Sequence, residues 1–368
     1  MRLAIDRDIP EAASAFAAFG DVSLIAGRAM TAEAIGDATV LIVRSVTKVN
    51  ADLLRSTAIE FVATATSGID HLDTAYLANR KIPYFSAPGC NARAVAEFIL
   101  ACVLLHAMRN EQSLSRLQAG IIGYGHIGRM VESMLSAVGV NCVVNDPLLA
   151  DRDPSRTFVD MDTLLESDIV TLHVPYTTRG EFPTHNLVGQ REFDRLGTRA
   201  LLINASRGGV VDEHAWTEWI KCSNGSGSVV DCWRGEPFVN LKLLEMAEIA
   251  TPHVAGHARE ARLRATAMLV EQLSSVLGIE NAWRPLDVDV IETHLESSAF
   301  PEAIREAVLT CCDPRILTAA LRGKIGLPER GRGAEFDRFR RNASRRREFG
   351  SRQIAAGTLR MDIVEMLG

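Results

Sequence analysis

Three residues in the second half of the chain have types suited to holding an anion and moving a proton: Arg207, Glu236 and His253. Each lies just beyond a short apolar run. Arg207 sits in Asn204-Ala205-Ser206-Arg207-Gly208-Gly209, after the run Ala200–Asn204. Glu236 sits in Asp231-Cys232-Trp233-Arg234-Gly235-Glu236-Pro237, after Ser228–Asp231. His253 sits in Thr251-Pro252-His253-Val254-Ala255-Gly256, after Ile249-Ala250. A guanidinium grips a carboxylate through two parallel hydrogen bonds and can polarise a developing carbonyl. An imidazole is the usual side chain for proton transfer near neutrality. A carboxylate on its other nitrogen fixes the tautomer and favours the imidazolium. The three together suit loss of a hydride and a proton from a 2-hydroxy acid. Asp231 is the rival partner for His253, or a contact for a nicotinamide carboxamide at its strand end.

A hydride needs an acceptor, and the stretch Gly120–Arg129, GIIGYGHIGR, offers a place for one. Gly123, Gly125 and Gly128 have the spacing G-x-G-x-x-G between an apolar strand-like lead and a helical pattern. Such a turn brings Tyr124, His126 and Ile127 with the glycines to a pyrophosphate at a helix N-terminus. A second apolar run, Cys142–Asn145, ends at Asp146, near the offset of about 20 residues expected for an acid on the adenine ribose. A carboxylate there would repel a 2′-phosphate, and Asn145-Asp146-Pro147 has no arginine to neutralise one. The expected cofactor is therefore NAD and not NADP.

These groups need a scaffold. Arg2–Ile5, Val40–Val43, Phe61–Thr64, Ile169–Leu172, Ala200–Asn204 and Ser228–Asp231 read as strands. Glu11–Phe19, Ala51–Arg55, Gly189–Arg195 and Asp212–Lys221 read as helices between them. The expected fold is α/β: two doubly wound parallel-sheet, Rossmann-like domains with a cleft between them, plus a C-terminal α+β extension. Residues 1–88 and 257–283 would form a discontinuous substrate domain, 89–256 the dinucleotide domain and 284–368 the extension. Asn91 reads as the N-cap of an all-round apolar helix, Ala92 to Arg109, which crosses into the second domain. An amphipathic helix over residues 260–279 returns the chain. In the first domain, polar groups gather at two strand ends, so Arg44, Ser45, Lys48 and Thr66 could hold a small anion. The basic run Arg338–Arg347 reads as a solvated face or as an oligomer contact whose arginines reach a phosphate.

Composition is that of an ordinary globular protein of 368 residues, 47% hydrophobic and 23% charged. A net charge of −6 argues against a nucleic-acid surface over the whole molecule. Asp6 and Arg7 interrupt any signal-peptide core, and Phe98–Met108 is too short to span a bilayer. Seven cysteines without C-x-x-C spacing read as reduced thiols of a cytoplasmic protein, and no grouping has metal-ligand spacing.

Four segments in this order, G-x-G-x-x-G, Asn204-x-x-Arg207-Gly208, Asp231-x-x-x-x-Glu236-Pro237 and Pro252-His253, resemble the D-isomer-specific 2-hydroxyacid dehydrogenases. Further segments are similar to those of a subfamily that acts on a phosphorylated substrate: VRSVTKVN (Val43–Asn50), TATSGIDHLD (Thr64–Asp73), APGCNARAVAEF (Ala87–Phe98) and FDRFRRNASRRREF (Phe336–Phe349). The resemblance implies oxidation of 4-phospho-D-erythronate at C2 by NAD, on the way to pyridoxal phosphate, by a homodimer joined through the C-terminal section. It carries over Arg207, Glu236 and His253 as catalytic, Ser45, Thr66 and His257 as substrate contacts, and Val174, Asp231 and Gly256 as NAD contacts. His257 stands where the subfamily usually has Tyr, and Val174 where Thr is common. Another D-2-hydroxy acid, such as 3-phosphoglycerate, and a non-catalytic NAD-sensing corepressor on the same fold are the alternatives.

Overall fold

The computed structural model describes residues 1–222, 227–285, 291–293, 302–349 and 352–354. The chain divides into two compact units, Met1–Asn91 with Arg259–Val288, and Ala92–Ala258 with Asp289–Gly368.

The first unit is built on a parallel sheet of five strands: β1 (Arg2–Asp6), β2 (Asp21–Ile25), β3 (Val40–Val43), β4 (Phe61–Thr64) and β5 (Tyr84–Phe85). Their spatial order is β2-β1-β3-β4-β5. β3 and β4 are buried along their whole length, as expected of parallel strands covered on both faces. Alternate side chains serve opposite faces. Leu3, Ile5 and Ile42 pack with Leu269, Val270 and Leu273 of the helix Arg259–Leu277. Ala4, Leu41 and Val43 pack with Leu54 and Leu77 on the other side. The expected helix over Glu11–Phe19 is broken into Ala12–Ala15 and a 3-10 turn at Ala17–Phe19.

The second unit holds a parallel sheet of six strands: β6 (Gln118–Ile122), β7 (Asn141–Asn145), β8 (Ile169–Leu172), β9 (Leu201–Asn204), β10 (Ser228–Val230) and β11 (Ile249–Ala250). Their order is β11-β10-β9-β8-β6-β7. Counted from the first strand of each unit, both sheets follow the doubly wound order 2-1-3-4-5, and the second adds one strand. In both, the first strand lies between the second and the third, so chain direction across the sheet reverses there. That reversal is where open α/β sheets leave a crevice.

The helix Ala92–Arg109 is buried without a break from Ala94 to Ala107. Its all-round apolar surface is explained by two covers. Val131, Met134 and Leu135 of the helix His126–Ala137 pack on it, as do Ile304, Ala307 and Val308 of the helix Glu302–Cys311. The expected cap is not made: Asn91 Oδ1 is buried and has no hydrogen-bond partner among the described residues.

The C-terminal section closes the sheet edge. On the helix Pro314–Arg322, Thr318 Oγ1 accepts the β11 amide of Ala250 at 3.1 Å, and Arg322 donates to the carbonyls of Leu244 and Ala247. A buried edge strand thus finds a partner for its ladder groups. Ile291–Thr293 pairs in parallel with Arg352–Ile354, while Val288-Asp289-Val290 lies outside the described residues. The basic run is not one solvated face. Arg338 is exposed and pairs with Glu335. Arg346 instead turns inward, donating to Ala94 O at 2.6 Å, Ala255 O at 3.1 Å and Cys312 Sγ at 3.0 Å. No helix among the described residues is long and apolar enough to cross a membrane.

Candidate active site

At the reversal point of the second unit, β6 gives way to the glycine turn. Gly123 has φ +90°, a region that L side chains avoid. A Cβ there would stand 2.7 Å from Val174 Cγ1 and 2.8 Å from His173 O, so β8's exit packs directly on the turn. A Cβ on Gly128 would overlap the Gly123 carbonyl, which fixes the helix His126–Ala137 against the turn. Gly125 differs, because a Cβ there would meet nothing within 4 Å. Gly125 and His126 are exposed, Ile127 is half-buried, and no side chain caps the helix. Its first amides are therefore open to an anion, and the residues present fit a dinucleotide pyrophosphate. Asp146 follows β7 and is half-buried. Its Oδ2 accepts the Tyr124 amide at 2.9 Å and its Oδ1 that of Leu149 at 3.1 Å. Each oxygen keeps a further lone pair for a ribose hydroxyl. The Tyr124 side chain is buried. Its ring is held between Arg129 and Arg156, at 4.5 and 4.1 Å to the centroid, and its hydroxyl contacts Glu132 and Arg156. His173 is half-buried behind the turn with its Nδ1 out of solvent, and that desolvation pushes its imidazole down to about 3, so it stays neutral.

β9, β10 and β11 are neighbours and parallel, so their carboxyl ends present the other three segments side by side. His253 Nδ1 lies 2.9 Å from each oxygen of Glu236. The bond puts a proton on Nδ1 and leaves the Nε2 lone pair as the base. Burial raises the Glu236 carboxyl, but the His253 imidazole, then Arg340, then the Trp233 amide outweigh it and hold it below the ordinary carboxylate value. Asp231 does not compete for His253. Its Oδ1 accepts Thr251 Oγ1 and the Val254 amide, each at 2.7 Å, and its Oδ2 accepts the Ala255 amide at 3.0 Å. The buried carboxylate thus braces the backbone on both sides of His253, which itself sits at φ 55°. Gly256 and His257 follow this braced turn, both half-buried.

The Arg207 segment meets the Glu236 segment through backbone packing. A Cβ on Gly208 would overlap the Trp233 carbonyl, so the loops of Arg207 and Glu236 lie in direct contact. Trp233 Nε1 donates to Thr251 O at 2.8 Å, which ties in the His253 segment. The guanidinium is steadied by Ser206 O at 2.8 Å.

One contributor was not assigned from sequence. Arg340, on the helix Glu329–Ala343, places Nη1 3.8 Å from Glu236 Oε2, and its carbonyl lies 3.2 Å from His257 Nδ1. The basic run was the signal, but nothing in it distinguished this arginine from its neighbours.

In the first unit, Ser45 is exposed just after β3, and Thr66 lies just after β4. Arg44 is not available for an anion as expected. It donates to Asp6 through Nε at 2.9 Å and Nη2 at 3.2 Å, and to Asp8 at 2.6 Å. Among the described residues no group of His, Cys, Asp and Glu could hold a metal ion.

Residues 104–255 match the family profile described as D-isomer specific 2-hydroxyacid dehydrogenase, NAD binding domain. The erythronate-4-phosphate dehydrogenase of Tolumonas auensis is 36% identical over all of this chain and 98% of its own length. That of Salinibacter ruber is 39% identical over 95% of this chain and 92% of its own. Among solved structures, D-lactate dehydrogenase from Aquifex aeolicus, complexed with NAD and lactic acid, superposes with TM-score 0.64 at 24% identity, covering 76% of this chain and 96% of its own. The D-lactate dehydrogenase of Escherichia coli gives TM-score 0.63 at 21% identity, over 76% of this chain and 97% of its own. On identity and coverage together, the chain belongs to the erythronate-4-phosphate dehydrogenase family, within the D-isomer-specific 2-hydroxyacid dehydrogenases.

Proposed function

We propose that this chain oxidises 4-phospho-D-erythronate at C2 to (R)-3-hydroxy-2-oxo-4-phosphooxybutanoate, a step toward pyridoxal 5′-phosphate. The observation that carries this reading is the Glu236–His253 pair, held at two 2.9 Å contacts in the same unit as an uncapped glycine turn. Arg207 binds the substrate carboxylate and polarises the C2 oxygen as it becomes a carbonyl. His253 Nε2 takes the C2 hydroxyl proton, and Glu236 holds the imidazole in that tautomer and stabilises its charged form. Bound NAD supplies the acceptor for the hydride that leaves C2. Gly123, Tyr124, Gly125, His126, Ile127 and Gly128 contact it through the turn, Asp146 through the ribose, and Val174, Asp231 and Gly256 nearer the nicotinamide. Ser45, Thr66 and His257 contact the substrate.

The domain assignment proposed is 1–88 with 257–283 for substrate, 89–256 for NAD and 284–368 for dimerisation. A cytoplasmic homodimer through the last of these fits Ile316 and Leu327, which the C-terminal section leaves exposed. Light scattering on the full chain tests the dimer.

Turnover is tested with purified protein, 4-phosphoerythronate, NAD and an added 2-oxo acid as final electron acceptor. Arg207→Ala and His253→Ala should each lower kcat about a thousandfold while NAD binding persists. Faster oxidation of 3-phosphoglycerate, or full activity in both variants, would overturn the assignment.

A further inference from the structure

Thr66, one of the proposed substrate contacts, is half-buried and part of a chain of hydroxyls. β4 ends at the buried Thr64, whose Oγ1 lies 2.8 Å from Thr66 Oγ1 and 2.8 Å from His71 Nε2. Thr66 Oγ1 lies 2.7 Å from Gly68 O. Three contacts require three protons, and each hydroxyl has one. A carbonyl cannot donate, so the Thr66 proton points to Gly68 O. The Thr66 oxygen then accepts from Thr64. With its own proton so placed, the Thr64 oxygen accepts from His71, whose Nε2 must carry hydrogen. The chain runs one way, from imidazole to carbonyl. Ser45 is unlike this: its exposed hydroxyl has no partner among the described residues and can turn to donate.

We propose that this relay presents Thr66 to the substrate as a hydrogen-bond acceptor, that Thr66 reads the C3 hydroxyl, and that His71 is the positioning residue that sets the direction. The inference rests on the reading of Thr66 as a substrate contact in the proposed reaction. The substrate's carboxylate and phosphate oxygens are acceptors, and a lone pair on Thr66 would repel them. The C2 hydroxyl gives its proton to His253. The C3 hydroxyl is the remaining donor, so an acceptor-only Thr66 selects a 2,3-dihydroxy acid over a 3-deoxy one. A site that binds a hydroxyl discriminates against the analogue lacking it because its own polar group is then left unpaired.

Two measurements on the full-length protein test this. The first is the nitrogen-15 spectrum of the His71 imidazole at neutral pH. Protonated Nε2 is expected, and a bare Nε2 would overturn the relay whatever the reaction. The second compares 4-phosphoerythronate with its 3-deoxy counterpart, 2-hydroxy-4-phosphooxybutanoate. Thr66→Val should raise KM for the dihydroxy substrate about tenfold and hardly change it for the deoxy one. Equal losses on both substrates would overturn the C3 assignment. His71→Leu should repeat the Thr66→Val pattern with kcat kept, and His71→Asn, which retains an N–H donor, should restore most of the difference. Equal behaviour of the Leu and Asn variants would overturn the positioning role. Failure of the wild type to oxidise 4-phosphoerythronate would overturn the reaction and the C3 assignment with it, while the imidazole spectrum would still decide the relay.

Discussion

The two sheets share a strand order and differ in what occupies the point where that order reverses. In the first unit, β1 ends in the fully buried Asp6 and β3 runs into Arg44, and the two close the gap with a bidentate ion pair. In the second, β6 ends in a glycine turn packed on Val174, with open space over Gly125 and an uncapped helix behind it. Topology makes a crevice at both places. Side chains decide whether it remains a crevice. The lesson extends to the neighbouring strand ends, where the second unit braces its reactive groups with backbone amides on a buried carboxylate and the first uses threonine hydroxyls.

The sharpest way to break this contrast is to disable the brace. Asp231→Asn keeps the shape but offers one acceptor oxygen where two receive three donors. Its amide hydrogens would face backbone N–H groups. The expected cost is about 3 kcal/mol by urea unfolding, with a larger loss of turnover as His253 loses its fixed backbone. Normal stability with activity alone abolished would mean that Asp231 acts on ligand and not on the fold.

The first unit's ion pair is tested by Arg44→Met. Asp6 would be left buried without its cation, at a cost of about 2 kcal/mol, below the usual figure for a buried pair because Arg44 is 23% exposed. A raised KM with an unchanged Tm would restore Arg44 to the anion-binding role that its position suggests and would erase the contrast.

Much of this architecture was legible in residue order. The apolar runs of β3, β4 and β8 match their observed bounds because a strand buried on both faces is a continuous apolar word. β2 was invisible for the converse reason: it is an edge strand with Asp21, Ser23 and Leu24 exposed, so no apolar run announces it. The contact of His253 with Glu236 was legible because residue type restricts which groups can pair there. Hydrogen-bond direction, and pairings in which several partners were open, were not. Whether Arg44 binds a ligand or Asp6 depends on a residue 38 positions away. The same holds for His71, whose partner Thr64 supplies the meaning its own neighbours lack.

A second buried carboxylate sharpens the comparison with Asp6. Glu97 lies in the second unit with one oxygen bonded to Arg93 and to the Phe349 amide, and the other without a hydrogen-bond partner among the described residues. Burial pushes its carboxyl up to about 7, against the partial relief given by Arg346 and Arg93. The unfolded chain releases this proton at the ordinary carboxylate value, and the folded chain keeps it until about pH 7. Stability therefore falls as pH rises through that interval, by about 3 kcal/mol. Glu97→Gln should flatten this component in a series of Tm values from acid to mildly alkaline pH. An unchanged slope would show that Arg93 and Arg346, against the like charge of Glu348, compensate Glu97 as fully as Arg44 compensates Asp6.

The smallest effect expected is at Ser45. Its hydroxyl is exposed and bonds to nothing among the described residues, so Ser45→Ala removes no internal contact and should leave Tm within the error of measurement. A donor to a substrate anion is a different matter, since a hydrogen bond to a charged oxygen contributes about 1.5 kcal/mol or more. KM for 4-phosphoerythronate should then rise roughly tenfold, with kcat nearly kept. That split is the opposite of the one expected at Arg44, one residue earlier at the same strand end. If Ser45→Ala instead lowers Tm and spares KM, the open hydroxyl is structural, and the strand ends of the first unit hold ligand through the Thr66 relay alone.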